Sequence, residues 1–406
     1  MTTTALWWQT LSSILAGLDA IDSTLLSTSA LFAQGVAIPV PQTIDIDIQW
    51  DRFQHASTLF QAHHSREQDA NRAIFSFTRN SLTITLSCHY NTVIVTDPDR
   101  LLIVHGEQRI WVKALDYFLR TLPGDDPLFS IVKTHLHVLQ KHNSELNEAA
   151  WNQDAYDAWV QRFGTPQDAS ARIKKDPQAR LASLFPYLEP LAGKKVINLL
   201  GSHGTKAIAM ALLGADVTVV DISQENAHYA RAVATMINVN LYYITSDVLN
   251  MPVDTLDASY DLVLMELGVL HYFVDLEPLA HVIVNLLRPG GQLVLQDFHP
   301  ISTKLISSKG KKHKVVGNYF DKSITVTDVA FSKHLPNDKQ HSPQQVYLRK
   351  WTLGEIVTAI AQAGLSIRRL DEEPNSKIDD IGLPKTFTLV AEKIPFKDTH
   401  ASSLKQ

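Results

Sequence analysis

The sequence of 406 residues has little cysteine and no long apolar run, and both absences limit the class of protein. Because Cys88 is its one cysteine, the chain cannot form an internal disulfide, and we expect a reducing compartment. No uninterrupted apolar segment is long enough to cross a bilayer. Residues 1–8 also lack the basic start and apolar core of a secretory signal. We therefore expect a soluble, cytoplasmic protein with no membrane partner.

An excess of positive charge is missing as well. The chain has 37 Lys and Arg residues against 42 Asp and Glu residues, which gives a formal net charge of −5. We therefore expect no nucleic-acid partner, because sequence-independent binding depends on neutralising phosphates. The hydrophobic content of 45% is enough for sizeable cores, and the length predicts two domains or more.

The segment 196–222 carries the most information about function. Two apolar runs, residues 196–200 and 217–220, predict strands that are covered on both faces, as in a parallel sheet. Between them, Gly201 and Gly204 permit a sharp turn and close approach of a ligand to the backbone. Asp221 follows the second run, where it can accept hydrogen bonds from a ribose diol. This order predicts a site for an adenosine-bearing cofactor.

A third glycine, which a dinucleotide-binding loop requires, is missing after Gly204. The segment instead resembles the class I S-adenosylmethionine-dependent methyltransferases, whose first motif reads acidic-x-Gly-x-Gly. Asn198 stands at the acidic position, and Leu200 and Ser202 stand where the two glycines often occur. The resemblance implies that Asn198 holds the loop and faces the methionine ammonium through its amide dipole.

The later motifs of that family follow in order and imply its fold. Asp247 corresponds to the acid at the adenine amino group, and Glu266 ends the fourth strand beside the transferable methyl. Residues 364–370 and 386–391 correspond to a closing antiparallel pair. The resemblance implies an α/β, Rossmann-like, mostly parallel seven-stranded sheet with an antiparallel closing hairpin. It gives these boundaries: a methyltransferase domain over 145–396, cap helices over about 145–190, a lid insertion over about 304–350 and a flexible tail at 397–406.

The expected cofactor contacts come from the loop, the strand ends and one cap helix. Residues 146–160 predict a helix, on which Tyr156 is the better candidate for covering the cofactor, whereas Trp151 is expected to pack between helices. The full set of expected cofactor-binding residues is Asn198, Gly201, Ser202, Gly204, Asp221, Ile222, Asp247, Val248, Glu266 and Tyr156.

Titratable groups after strands four and five are the catalytic candidates. Methyl transfer is an in-line displacement that needs a positioned, deprotonated nucleophile and exclusion of water. Glu266, His271 and His299 follow strands whose carboxyl ends meet at the crevice of an open parallel sheet. A neutral imidazole is a suitable base near pH 7, so the histidines are the candidate bases. For each histidine, a hydrogen bond to backbone or to the cofactor carboxylate is the alternative role.

The first third of the chain carries a different pattern. Asp45 and Asp47 alternate with isoleucines, so on a strand both carboxylates lie on one face, where Mg²⁺ is the usual counter-ion. With Ser27 and Thr28 before them, they resemble the minimal nucleotidyltransferase superfamily, in which Gly-Ser opens a helix and an Asp-x-Asp strand holds metal and triphosphate. Residues 110–120 resemble the closing helix of those domains. The resemblance implies a smaller α+β domain over residues 1–140.

Two departures from that pattern predict a degenerate domain. The Gly-Ser position reads Ser27-Thr28, and the third carboxylate falls in residues 81–87, where the alternating polar residues are hydroxyls. Because two-metal chemistry requires its full set of acids, we expect weak or no nucleotidyl transfer, with Mg²⁺ bound only if the domain is active. The domain would then bind a nucleotide or a protein partner.

Together these patterns predict S-adenosylmethionine-dependent methyl transfer to an unidentified acceptor, with a small molecule favoured. One alternative is an active nucleotidyltransferase with an accessory methyltransferase domain. The other is a non-catalytic regulator that senses S-adenosylmethionine or nucleotide and binds a protein partner. The sequence leaves the acceptor, the oligomeric state and the identity of the general base open.

Overall fold

The structure, a computed structural model, describes residues 2–19, 21–60, 65–309, 312–335, 344–374 and 382–395. The chain divides into two compact units, Met1–Leu139 with Phe320–Ser323 and Gln140–Tyr319 with Ile324–Gln406. Among the helices of the described ranges, none is long and apolar enough to cross a membrane.

The first unit contains a seven-stranded mixed sheet with the strand order β3-β4-β5-β2-β1-β7-β6. The last helix of the series, α5, continues past Leu139 into the second unit. The elements in chain order are α1 Thr3–Gly17, β1 Ser23–Leu25, α2 Ser27–Ala33, β2 Thr43–Ile48, α3 Phe53–Leu59, β3 Ser65–Gln68, β4 Arg72–Arg79, β5 Leu82–His89, β6 Arg100–His105, β7 Gln108–Lys113, α4 Leu115–Thr121 and α5 Pro127–Trp151.

Strand β2 carries the two aspartates of the Asp-x-Asp pattern on one face. Its isoleucines are buried while Asp45 and Asp47 are only partly buried, as the alternation in the sequence predicts. Strand β2 runs parallel to β5, which places Thr85 opposite Asp45 and Ser87 opposite Asp47. The position that the resemblance reserves for a third acid therefore holds a hydroxyl.

The predicted helix over residues 110–120 is wrong in its first part. Residues 108–113 form strand β7, and helix α4 begins only at Leu115. Ile110 and Val112 are buried and alternate with exposed Arg109 and Trp111. This period of two fits a strand with one buried face, and it overrides the weaker helical signal of the segment.

The second unit contains the remaining helices and strands of the described ranges. In chain order they are α6 Ala155–Phe163, α7 Pro166–Lys175, α8 Pro177–Leu181, α9 Phe185–Leu188, β8 Lys195–Leu199, α10 Thr205–Leu212, β9 Asp216–Asp221, α11 Gln224–Ile237, β10 Tyr242–Thr245, β11 Tyr260–Glu266, α12 Glu277–Leu286, β12 Leu287–Phe298, β13 Ile306–Lys309, β14 Lys312–Val315, β15 Ile324–Asp328, β16 Gln345–Arg349, α13 Leu353–Gln362, β17 Leu365–Pro374 and β18 Pro384–Lys393.

The main sheet of this unit has the order β10-β9-β8-β11-β12-β18-β17. The first five strands pair in parallel, and β18 joins β12 and β17 by antiparallel pairing. The predicted Rossmann-like, mostly parallel seven-stranded sheet with an antiparallel closing hairpin is therefore confirmed. Along β11, Leu262 and Leu264 belong to one buried cluster and Val263 and Met265 to another. Apolar side chains on both faces explain why these strands read as continuous hydrophobic runs.

The predicted helix over residues 146–160 is interrupted. Helix α5 ends at Trp151, Asp154 adopts a left-handed conformation with φ 66°, and α6 begins at Ala155. The Asn152 Oδ1 accepts the backbone N–H of Gln224 at 2.7 Å, a tertiary hydrogen bond that the helical pattern does not reveal. Because the break separates α5 from α6, the aromatic residues on its two sides do not lie on one helix.

The segment expected to be a lid contains two short antiparallel strand pairs, β13 with β14 and β15 with β16. Residues 310–311 and 336–343 of the segment lie outside the described residues, as does the expected tail at 397–406.

Candidate functional site

The loop after β8 keeps the backbone of a glycine-rich turn with fewer glycines. Leu200 and Ser202, which stand at glycine positions of the family motif, have φ angles of 50° and 49°, and Gly204 has 68°. Non-glycine residues in this left-handed region cost about 1–2 kcal/mol each, so tertiary contacts must impose the conformation. At Gly201 a β-carbon would lie 2.7 Å from Val219 Cγ1, so a side chain has no room there.

A cavity of about 460 Å³ lies at the carboxyl ends of β8, β9 and β11, and this volume suits a small-molecule site. Most of the expected cofactor residues line it: Gly201, Ser202, Asp221, Ile222, Asp247, Val248 and Glu266.

Asp221 combines a structural role with a free acceptor position. Its Oδ2 accepts the backbone N–H of Ser202 at 2.9 Å, and its Oδ1 accepts from Ser223 N–H at 3.0 Å and Asn226 Nδ2 at 2.9 Å. Burial raises the pKa of this carboxyl, and the hydrogen bonds oppose that shift. A carboxylate has about four acceptor positions, so one remains on Oδ2. Because Asp221 lines the cavity, a ribose hydroxyl can use that position.

Asn198 lies behind the loop rather than at the cavity, contrary to the expected contact with the methionine ammonium. The side chain is completely buried, and its Nδ2 donates to the Leu264 carbonyl at 3.2 Å. Its Oδ1 has no hydrogen-bond partner among the described residues. The same Oδ1 lies 2.8 Å from where a β-carbon of Gly201 would be. Asn198 therefore supports the turn from the buried side, and its side chain joins β8 to β11.

Asp247 is placed at the end of β10 with one carboxylate oxygen engaged. Its Oδ1 accepts the backbone N–H of Leu249 at 2.9 Å, which fixes the turn that follows the strand. Asp247 and the adjacent, nearly buried Val248 both line the cavity. An acid and an apolar residue together suit the amino edge and the face of an adenine ring.

Glu266 forms a close ion pair with Lys206, a residue that the motif analysis missed although it follows Gly204 by two positions. Burial lowers the pKa of the Lys206 ammonium to about 8, with the charge of Arg180 acting in the same direction. The Glu266 carboxylate next to it favours the ammonium form of Lys206. A carboxylate paired in this way is a poorer base than a free one, which weakens the case for Glu266 as proton acceptor.

His271 lines the cavity, and no described residue forms a hydrogen bond with its ring. The loop before it is held by Asp297, whose carboxylate accepts the N–H groups of Gly268 at 2.6 Å and Leu270 at 3.2 Å. Burial lowers the pKa of the His271 imidazole, and the Asp297 charge opposes the shift. The ring is therefore neutral near pH 7 and has a nitrogen available to accept a proton.

His299, the second candidate base, is engaged elsewhere and does not line the cavity. Its Nδ1 accepts the backbone N–H of Ile301 at 3.1 Å, so Nε2 carries the proton that it donates to Glu372 at 2.6 Å. The side chain is 2% exposed. With both nitrogens partnered, His299 corresponds to the alternative, structural role rather than to a base.

Tyr156 also lies away from the cavity. Its ring stacks on His228 at 4.7 Å and meets Tyr229 edge-on at 5.7 Å. Trp151 and Trp159 line the cavity in its place. The interruption at residues 152–154 explains this difference, because it separates the helix of Trp151 from the helix of Tyr156.

Several basic residues that the sequence did not single out line the cavity as well. Arg162 comes from α6, Arg180 from α8, and Lys333 and His334 from the segment after β15. His203 packs at 4.6 Å from Phe163, and burial, reinforced by the charge of Arg180, lowers the pKa of its ring to about 3. No periodic pattern connects these residues, so only the tertiary structure identifies the group.

The two aspartates of β2 have hydroxyl neighbours in place of a third acid. Burial raises the pKa of the Asp45 carboxyl, while hydrogen bonds from Thr43, Thr85 and Ser27 oppose that shift. Asp47 accepts a hydrogen bond from Ser87 Oγ at 3.0 Å. Within the described ranges no group of three or more His, Cys, Asp or Glu side chains is placed to hold a metal ion. Two carboxylates alone fall short of the ligand set for two-metal phosphoryl transfer.

Comparison with known proteins points to one part of the chain. A family model described as a methyltransferase domain matches residues 200–295. The 27-O-demethylrifamycin SV methyltransferase of Amycolatopsis mediterranei is 28% identical over 159 residues, which is 38% of this chain and 55% of that protein. The demethylmenaquinone methyltransferase of Clavibacter sepedonicus is 25% identical over 163 residues, 40% of this chain and 64% of that protein. The matched part of the chain thus covers less than two thirds of the length of each of these relatives.

Among solved structures, an S-adenosylmethionine-dependent methyltransferase from Mesorhizobium loti has 20% sequence identity and a TM-score of 0.41. The likeness covers 52% of this chain and 98% of that one.

Proposed function

We propose that this chain, which contains a class I S-adenosylmethionine-dependent methyltransferase domain, transfers a methyl group to a small-molecule acceptor. The observation that carries the proposal is that one cavity of about 460 Å³ combines the glycine turn, Asp221, Asp247 and His271, whose ring forms no hydrogen bond with the described residues. The proposed domain comprises residues 145–396, with the lid segment at about 304–350.

The cavity residues fit the cofactor by their chemistry. Asp221 has one acceptor position left on Oδ2 for a ribose hydroxyl, and Asp247 has a free oxygen for the adenine amino group. The Gly201–Ser202 turn provides a close backbone approach for the remainder of the molecule. When bound, the cofactor supplies a methyl group on a sulfonium centre, which a nucleophile can displace.

His271 takes up the proton of the acceptor in this proposal. The ring is neutral at pH 7, lines the cavity and is free of hydrogen bonds from the described residues. The backbone before it is fixed by Asp297, so the imidazole is held in place before the acceptor binds. Glu266 is paired with Lys206 and contributes to positioning rather than to proton removal.

A small acceptor is supported by the enclosure of the site. Trp151, Trp159 and Tyr272 contribute large aromatic walls, and Trp151 Nε1 donates to the Tyr272 hydroxyl at 3.0 Å. Such walls exclude water from the reacting atoms. The relatives named for rifamycin and demethylmenaquinone methylation also support a small organic acceptor.

For residues 1–140 we propose a degenerate nucleotidyltransferase-like domain that binds a nucleotide or a protein partner without transferring nucleotide. The support is the placement of Thr85 opposite Asp45 on β5, where catalysis would need a carboxylate.

Methyl transfer from labelled S-adenosylmethionine into a metabolite extract tests the main proposal. We expect a labelled product with the wild type and loss of that product with Asp221→Ala, whereas Asp216→Ala at the start of the same strand retains it. Tight binding of S-adenosylhomocysteine without any labelled product would favour the non-catalytic regulator. Labelled product at the wild-type rate from Asp221→Ala would contradict the assignment of the ribose site.

A further inference from the structure

Three cations line one part of the cavity and are called here the cationic rim: Arg162, Arg180 and Lys333. They come from α6, α8 and the segment after β15, so three separate parts of the second unit contribute to it. His203 lies in the same region and lines the same cavity. Convergence of basic side chains from separate elements on one cavity calls for a physical explanation.

The two arginines of the rim have neutral partners. Arg180 donates from Nε to the Thr205 hydroxyl at 3.0 Å, and an Arg162 guanidinium nitrogen lies 2.9 Å from His334 Nε2. Both guanidinium groups sit over the Phe163 ring, at 5.1 Å for Arg162 and 5.2 Å for Arg180. Within the part of the chain that the structure describes, no carboxylate pairs with these arginines or with Lys333. Each arginine has five N–H donors, so most of them remain available.

Lys206, another cation that lines the cavity, is paired with an acid, Glu266. The rim differs because no carboxylate of the described residues pairs with its charges. The lowered pKa of His203, about 3, arises first from burial and then from the charges of Arg180, Lys206 and Arg162. A local excess of positive charge beside a cavity is stabilised when a ligand brings an anionic group.

The cofactor brings one carboxylate, but the ammonium beside it and the sulfonium centre leave the molecule with a net positive charge. Binding of the cofactor therefore does not neutralise the rim. We propose that the methyl acceptor bears an oxyanion, a carboxylate or a phosphate, which the cationic rim binds through Arg162, Arg180 and Lys333. This inference rests on the proposed function, since it names the acceptor class for the same cavity. Arginine forks match carboxylate and phosphate oxygens in a bidentate way, which fixes orientation as well as affinity.

Inorganic phosphate is the probe for the rim. It is titrated calorimetrically, at constant ionic strength, into protein saturated with S-adenosylhomocysteine. The test variant is Arg162→Gln with Lys333→Gln. The matched control is Lys174→Gln with Lys175→Gln, which makes the same charge change on exposed positions of α7 that do not line the cavity. A third titration uses protein saturated with 5′-methylthioadenosine, which lacks the carboxylate of the cofactor.

We expect phosphate to bind the S-adenosylhomocysteine complex, and the test variant to bind it at least about tenfold more weakly than wild type and control. Affinity for S-adenosylhomocysteine should stay within about twofold in all variants, which also shows that they are folded. Phosphate binding that is unchanged in the test variant would overturn the inference. Binding to the methylthioadenosine complex but not to the S-adenosylhomocysteine complex would also overturn it, by assigning the rim to the carboxylate of the cofactor.

The inference and the proposed function fail in different ways. If wild type binds S-adenosylhomocysteine but no phosphate in any complex, the inference alone is overturned. If wild type binds no S-adenosylhomocysteine, the proposed function is overturned and the inference with it.

Discussion

The Asp297 carboxylate accepts the backbone N–H of Gly268 at 2.6 Å, which ties the end of β12 to the loop after β11. The same side chain accepts the N–H groups of Val269 and Leu270, at 3.3 and 3.2 Å. His271 is the next residue of this loop. The position of the proposed base therefore depends on a carboxylate from the neighbouring strand, and not on its own strand alone.

Replacing Asp297 with alanine should destabilise the second unit and disturb the site. The buried N–H groups of the loop would lose a charged acceptor, which costs roughly 2–3 kcal/mol in the free energy of unfolding. Urea unfolding measures this loss. Asp254→Ala, at an exposed position of the same unit, is the control and should change the free energy of unfolding by less than about 0.5 kcal/mol. Equal stability of the two variants would show that the Asp297 hydrogen bonds are not important for the fold.

Replacing Asp221 with alanine should weaken binding of S-adenosylhomocysteine. The hydroxyls of the ribose would lose an ionised acceptor, worth roughly 1.5–3 kcal/mol, which corresponds to about 10- to 150-fold in the dissociation constant. Loss of the bond to Ser202 N–H adds to this, because that bond holds the turn. Calorimetry on this variant and on Asp216→Ala measures the effect, and undiminished affinity in Asp221→Ala would refute the contact.

The two candidate bases should behave differently. His271→Ala should lower turnover by roughly two to four orders of magnitude and leave cofactor affinity nearly unchanged, because it removes a base that lines the cavity. His299→Ala should retain turnover within a few-fold where the protein is folded, since its ring is bonded to Ile301 and Glu372. Steady-state kinetics with the acceptor found by the labelling screen decides between them. Full turnover in His271→Ala would place proton removal elsewhere or indicate an acceptor that is already deprotonated.

His203 should make stability depend on pH below neutrality. Its pKa is about 3 in the folded protein against an ordinary value of 6.5, so the unfolded chain binds a proton that the folded chain does not. The free energy of unfolding should therefore fall as the pH drops from about 6.5 towards 3, by about 1.4 kcal/mol per pH unit from this residue. Urea unfolding at pH 4, 5, 6 and 7 measures how the free energy of unfolding depends on pH. In His203→Gln the slope of this dependence should be smaller than in wild type by about 1.4 kcal/mol per pH unit, which is the effect of one proton. Parallel slopes in the two proteins would contradict the neutral, buried state of this ring.

The first unit should bind a divalent metal only after a carboxylate is added. Thr85→Asp would place an acid opposite Asp45 on the neighbouring strand and complete a set of three carboxylates with Asp47. We expect Mn²⁺ binding, measured by electron paramagnetic resonance, in Thr85→Asp but not in wild type. Thr83→Asp, which pairs with Thr43 on the same strands, is the matched control. Strong Mn²⁺ binding or labelled-nucleotide incorporation by wild type would show that the third acid lies elsewhere.

The succession of strands along the chain and the positions of the two acids proposed to bind the cofactor could be predicted from the sequence. Strands buried on both faces give continuous apolar runs, and the residue after each run lies at the carboxyl edge of a parallel sheet whatever the details of packing. Asp221 and Asp247 are therefore recognisable by position. The left-handed turn at Leu200 and Ser202 is recognisable only by analogy with the family motif, because neither residue type favours positive φ.

The tertiary structure decided which side chains reach the cavity. His271 and His299 both follow core strands. His299 differs because its ring nitrogens are bonded to Ile301 and Glu372, and its side chain does not line the cavity. Tyr156 lies away from the cavity because the helix is interrupted at Asp154. The interrupted segment is held by a hydrogen bond to Gln224, a residue distant in the chain. The cationic rim has no sequence signal at all, since its members come from α6, α8 and the segment after β15. A sequence specifies local conformation through neighbouring residues, whereas the direction of a side chain at a loop depends on partners that only folding brings together.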